Sequence, residues 1–333
     1  MVSRRFIFLA GVLTVFAGGI HAATTTLLNV SYDATREFYK DYNAAFAARW
    51  RAMGRGEITI NQSHGGSSKQ VRSVIDGLGG DVVTMNQALD IDQLATAGFV
   101  SADWATRLPQ DSVPYLSTIL FLVRKGNPKG IHDWPDLVRD DVAVVVPNPK
   151  TSGNGRYSYL AAWGYARRRP GGSDATAREF VQKLFARVPI LDTGSRGATT
   201  SFARHDIGDV LLTFENEIAL IGKELNGGQF ERIVPSVSIR ADNPVVWVDR
   251  NVAKRGTEEA ARAYLEYLYS PEAQELAAKH HFRPQDPAVA ARHADKFPRL
   301  VLFSVAEVFG SWRQAQEVHF ADGGVFDQIH PKQ

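Results

Sequence analysis

The chain has 333 residues, no cysteine, and 38 Lys+Arg against 36 Asp+Glu, for a formal net charge of +2. No disulfide framework is possible, and the near balance of interspersed charges excludes the basic face that a nucleic-acid partner requires. A chain of this length exceeds what one core ordinarily serves, which predicts two lobes.

The first segment is read as a leader. Arg4-Arg5, an apolar run over 6–20 and the small residues Ala22-Ala23 have the order of a secretory signal peptide, assigned to residues 1–22 with cleavage near Ala22 or Ala23. No cysteine at the junction allows a lipid anchor, and no later run is apolar for long enough to cross a bilayer. The mature chain is therefore expected in the periplasm, as a monomer.

Apolar, β-branched runs then alternate with helical stretches. Strands are predicted over 26–30, 58–61 and 81–85, with helices over 33–50 and 68–78. In the first helix Phe38, Tyr39, Tyr42, Phe46 and Trp50 fall mainly on one face. The β-α-β-α-β order implies a largely parallel sheet covered by helices. After Pro114 the pattern restarts: strands over 118–123, 142–146, 210–214 and 245–248, and helices over 156–168, 180–188, 217–225, 257–268 and 271–279. The expected fold class is α/β, with a cleft between two lobes. The crossings are placed near Ser117 and Pro244, so that 23–117 and 245–333 form lobe 1 and 118–244 form lobe 2.

Three segments share one design, a strand end followed by a Gly/Ser/Thr loop and a helix. They are Ser63-His64-Gly65-Gly66-Ser67-Ser68-Lys69-Gln70, Asn148-Pro149-Lys150-Thr151-Ser152-Gly153-Asn154-Gly155-Arg156, and Asp192-Thr193-Gly194-Ser195-Arg196-Gly197-Ala198-Thr199-Thr200. The first amides of a helix lack an intrahelical acceptor, and the macrodipole places positive potential there. Glycine admits an anion close to the backbone and Ser or Thr adds a hydroxyl donor, so each end is a ready anion site. Asp33, between the first strand and helix, reads either as an N-cap or as a cleft-floor residue paired with Arg196. In the latter reading the Arg196 guanidinium reaches backbone carbonyls behind the site.

Competing chemistry lacks its residues. Gly66-Ser67-Ser68-Lys69 has no glycine before the lysine, no Gly-x-Ser-x-Gly elbow is present, and the histidines have no metal-ligand spacing. No catalytic residue, metal or cofactor is expected. A secreted enzyme acting on sulfate or phosphate esters, and a binder of another tetrahedral oxyanion such as molybdate, are the alternatives.

These loops resemble those of the bacterial periplasmic sulfate/thiosulfate-binding proteins, the substrate-binding components of sulfate ABC importers. The similarity extends through Leu28-Asn29-Val30-Ser31-Tyr32-Asp33, Gln62-Ser63-His64-Gly65-Gly66-Ser67, Asn148-Pro149-Lys150-Thr151-Ser152-Gly153 and Phe320-Ala321-Asp322-Gly323-Gly324, over most of the mature chain. The resemblance implies the class II periplasmic binding fold, capture of sulfate or thiosulfate by uncharged donors, and a membrane permease as partner. Carried over by position, the Ser67 hydroxyl and the amides of Ser152, Gly153 and Ser195 contact the anion. Gly155 stands where the family has alanine, which is expected to loosen the turn. Asn86-Gln87, Asn154 and Phe214 look like the thiosulfate branch: sulfate-type members have an apolar pair, a glycine and a tryptophan there. On this reading Asn86, Gln87 and Asn154 offer amide donors to oxygen, and the Phe214 ring suits the softer sulfur.

Overall fold

The computed structural model describes residues 24–224 and 227–330, so the expected leader over 1–22 lies outside the described residues. The chain begins β1 (Thr25–Tyr32), α1 (Arg36–Ala52), β2 (Ile58–Gly65), α2 (Ser67–Ile75), β3 (Val82–Thr84), α3 (Ala88–Thr96) and a one-turn α4 (Pro109–Ser112). It continues as β4 (Tyr115–Arg124), β5 (Val144–Val145), α5 (Gly153–Arg168), α6 (Asp174–Phe185), α7 (Ser195–Ala203), β6 (Val210–Phe214), α8 (Glu215–Glu224), β7 (Phe230–Ile233) and β8 (Val237–Asp242). Then come β9 (Val245–Trp247), α9 (Asp249–Arg255), α10 (Glu258–Tyr267), α11 (Pro271–Lys279), β10 (Arg283–Pro284) and α12 (Pro287–Arg292). The described chain finishes with β11 (Val301–Phe303), α13 (Val305–Phe309), α14 (Trp312–Ala315) and α15 (Val325–Ile329).

Two sheets result. The first has the order β2-β1-β3-β9, parallel except for β9. The second has the order β11-β8-β4-β6-β5, with β7 and β10 also pairing with β4. The central strands are covered on both faces, and β3, β4 and β6 are accordingly buried almost throughout, whereas the edge strand β2 is only partly buried. In the first, Leu27 and Val82 enter one core while Val30 and Val83 enter another. In the second, Ile119, Phe121 and Val123 face one way and Leu120 and Leu122 the other. The five aromatic residues predicted on one face of α1 are its buried set, Phe38, Tyr39, Tyr42, Phe46 and Trp50.

The return of the whole segment after Val245 to the first lobe does not occur. Strand β11 pairs in parallel with β8, and the helices after it wrap α5. Phe303 lies against Gly164, Trp312 meets Tyr157 edge-on, and His319 and Phe320 contact Tyr159. The cause is α5 itself. From Gly153 to Ala166 every residue is buried, so the helix has no solvent face and needs cover beyond its sheet. The chain therefore changes sheet before β4, between β8 and β9, and again between β9 and β10.

Candidate functional site

The three Gly/Ser/Thr loops meet, although only the first two follow a strand, β2 and β5; the third follows α6, with no strand before it where the sequence reading expected one. A methyl group on Gly66 would stand 3.0 Å from the Thr151 carbonyl oxygen and 3.6 Å from that of Thr193. Thr151 Oγ1 donates to the Thr193 carbonyl at 3.0 Å, and the Asn148 amide donates to Asp192 at 2.8 Å. Segment 63–67 runs from the end of β2 in the first sheet into α2, whereas the other two open α5 and α7 beside the second sheet, so the meeting point lies between the lobes.

Each loop opens a helix. Helices α2 and α7 start after Gly66 and Gly194, neither of which supplies a capping side chain. Helix α5 is capped by Ser152, whose Oγ accepts from the Gly155 amide at 3.4 Å. The Ser152 amide, expected to face the anion, instead donates to the Asn148 carbonyl at 2.9 Å. The first amides of α5 without an intrahelical acceptor are thus those of Gly153 and Asn154. Ser67, Ser152 and Ser195 are all buried. The Ser67 hydroxyl makes no hydrogen bond of good geometry, although it lies near enough to Asp90 to help hold that carboxylate.

The amide side chains behave differently from the sequence expectation. Asn154 Nδ2 donates to Ser195 Oγ at 3.0 Å and to Thr213 Oγ1 at 2.9 Å, and its Oδ1 accepts from Ser158 Oγ at 3.2 Å. It joins α5, α7 and β6, and its side chain has no N–H left for a ligand. Gln87 Nε2 donates to Asp90 at 2.9 Å and, at 3.4 Å, to Ser68 Oγ. Asn86 is buried with its Oδ1 unpaired, pressed against the Cα of Gly153. Phe214, buried at the end of β6, sits edge-on to Tyr32 and Tyr157, at 6.2 and 5.8 Å between ring centroids. Gly155 does not loosen its turn: a Cβ there would lie 2.3 Å from the Pro147 carbonyl oxygen and 2.8 Å from Asn148 C and Pro149 N. Only a residue without a Cβ allows this close approach of α5 to its own loop.

Charged groups stand behind the loops. Asp33 caps no helix with its side chain; its Oδ2 accepts from the Arg196 amide at 3.4 Å, and burial raises its pKa against the pull of Arg196. The Arg196 guanidinium reaches two carboxylates, Glu37 at 2.7 Å and Glu217 at 3.5 Å. Burial pushes Glu217 up to about 7, opposed by Arg196 and aided by the charges of Asp33 and Glu37. Arg156 Nε donates to the Pro149 carbonyl at 3.0 Å. Burial holds His64 down to about 4, so it is neutral. Asp90, Thr213, Glu37 and Glu217 escaped sequence reasoning. Each lies inside an element with no motif around it, and its role appears only through partners far away in the chain.

No group of three or more His, Cys, Asp or Glu among the described residues is arranged to hold a metal. No helix among them is long and apolar enough to cross a membrane.

Two α/β lobes whose loops close on one buried polar patch define the two-lobe periplasmic binding protein fold. A solved neighbour, the sulfate-binding protein SubI from Mycobacterium tuberculosis H37Rv, superposes with a TM-score of 0.80 at 32% identity, covering 88% of this chain and 98% of that one. A periplasmic thiamin binding protein, at 18% identity and a TM-score of 0.66, shares the fold. The chain is 58% identical over 314 residues to the thiosulfate-binding protein of Pseudomonas aeruginosa, covering 94% of each. It is 52% identical over 313 residues to the sulfate-binding protein of Escherichia coli K12, covering 94% of this chain and 95% of that one. The model of the bacterial extracellular solute-binding proteins matches residues 27–283, and the chain belongs to that family.

Proposed function

We propose that the protein is an exported, monomeric carrier that captures sulfate or thiosulfate between its lobes and delivers it in the periplasm to the permease of an ABC importer. The observation that carries this reading is the meeting of three helix N-termini, from both lobes, around buried uncharged donors. Ser67, the Gly153 amide and Ser195 are the groups assigned to the anion. The nearby arginines engage protein acceptors: Arg196 reaches Glu37, and Arg156 the Pro149 carbonyl. A buried dianion costs several kcal/mol of desolvation. Hydrogen bonds to a charged acceptor, worth about 1.5–3 kcal/mol each, offset that when several converge.

Selectivity follows from donors. Hydrogen phosphate brings an O–H that needs an acceptor, and an unpaired buried donor costs about 1–3 kcal/mol. The relatives named for thiosulfate and for sulfate both support a sulfur oxyanion. Phe214, with no polar atom, favours thiosulfate among the two. The role is carriage and not catalysis: turnover of a chromogenic sulfate ester, lost in Ser152→Ala, would overturn that part. The deciding test is calorimetric titration of the refolded, ligand-stripped mature protein with sulfate, thiosulfate and phosphate. Tight binding of at least one sulfur species and weak binding of phosphate is expected; binding of neither sulfate nor thiosulfate refutes the reading.

A further inference from the structure

Asn154, Ser195, Thr213 and Ser158 form one buried hydrogen-bonded group at the second lobe's side of the site. A primary amide has two N–H donors and one carbonyl acceptor. As placed, all three are matched, to Ser195, Thr213 and Ser158. Turning the amide over would present its oxygen to two hydroxyls and strand a buried N–H, so the network fixes its direction.

That direction decides where a proton goes. Ser195 Oγ accepts from Asn154, and among the described residues its own hydrogen meets no acceptor. Thr213 Oγ1 is in the same position. Ser195, however, is the first residue of α7, in the loop that meets Gly66 and Asp33, whereas Thr213 lies within β6. We propose that Asn154 is a positioning residue that commits the Ser195 hydroxyl proton to the bound anion, so that Ser195 acts as a specificity-determining donor through its side chain as well as its amide. This rests on the sulfur-oxyanion reading and deepens it. A site in which Asn154 converts a hydroxyl of either sense into a donor alone rejects ligands that carry their own proton.

The test is a double-mutant cycle on the full mature protein, ligand-stripped, titrated with sulfate and with thiosulfate. Ser195→Ala and Asn154→Ala should each weaken binding roughly ten- to a hundredfold, the loss of one hydrogen bond to a charged acceptor. Because Asn154 acts through Ser195, the double variant should bind about as weakly as the weaker single one. Thermal unfolding without ligand separates this from a structural role, which would lower stability in parallel with affinity. Additive losses, or a Ser195→Ala protein that binds as the parent does, overturn the proposal while leaving the carrier reading intact. A parent protein that binds neither anion overturns the carrier reading instead. Should Asn154→Ala fail to fold, Ser195→Thr decides: retained affinity there, against loss in Ser195→Ala, supports the proposal, and equal loss overturns it.

Discussion

Gly153 sits where the lobes touch, and adding one methyl group there probes whether binding requires that contact. A Cβ on Gly153 would lie 2.1 Å from Asn86 Oδ1 and 2.7 Å from Asn86 Cγ and Nδ2. Asn86 follows a strand of the first sheet and Gly153 opens a helix of the second lobe, so the clash exists only with the lobes together. Asn86 is short and buried, and cannot swing its amide into solvent. Overpacking of this kind costs about 1–3 kcal/mol. Assigned wholly to the closed state, that lowers anion affinity roughly five- to a hundredfold. Calorimetry should show the loss, and thermal unfolding without ligand should change little. Adding Asn86→Ala to Gly153→Ala should restore most of the affinity by clearing the space. Unchanged affinity in Gly153→Ala, or an equal loss of stability without ligand, refutes the reasoning.

Other expectations follow from the same geometry. Gly155→Ala places a Cβ against backbone atoms that cannot rotate away, so chemical denaturation should show a stability loss of about 1–3 kcal/mol; an unaffected midpoint would contradict the close approach. Glu217 has a folded pKa raised from 4.5 to about 7, so its ionisation costs stability, a cost absent below about pH 4.5 and complete above pH 7. Glu217→Gln should flatten the pH dependence of urea unfolding between those limits by up to about 3 kcal/mol; parallel curves for parent and variant would exclude Glu217 as the source. Arg196→Met removes the cation facing that buried carboxylate and should destabilise through it by up to about 1.4 kcal/mol at pH 8, because Glu217 can take up a proton one pH unit above its pKa of about 7. The loss should shrink below pH 7, where Glu217 takes up a proton, and a pH-independent loss would argue for packing instead. Removal of residues 301–333 uncovers Tyr157, Tyr159 and Trp163, and should abolish cooperative unfolding in circular dichroism; a truncated chain that still melts cooperatively would contradict the covering role.

Much of the fold is legible in local pattern. The five aromatic residues of α1 recur at helical spacing, and those five are the residues it buries. The apolar runs over 119–123 in β4 and 210–212 in β6 announce strands covered on both faces. The three Gly/Ser/Thr loops announce themselves by composition, and each stands at the start of a helix. Less visible was the destination of the last thirty or so residues. Helix α5 reads as a good helix, but a sequence gives no sign of which distant segment will cover a helix that is buried all round. The short β11, which ties that segment to the second sheet, carries almost no periodicity of its own.

The site divides along the same line. Residue type and chain position placed Ser67, Gly153, Ser195 and Asp33 at loop ends, because helix starts and glycine turns are written in a few neighbouring residues. The direction of each donor was not written there. Asn154 offers the same amide whether it meets a ligand or Ser195 and Thr213, which lie 41 and 59 residues away. Gln87 is turned to Asp90, and Arg196 to Glu37 and Glu217. Local sequence thus determined which segments bear donors and that they begin helices. Tertiary structure alone decided which donors remain open, because a hydrogen bond is satisfied by whichever acceptor the folded chain brings within reach.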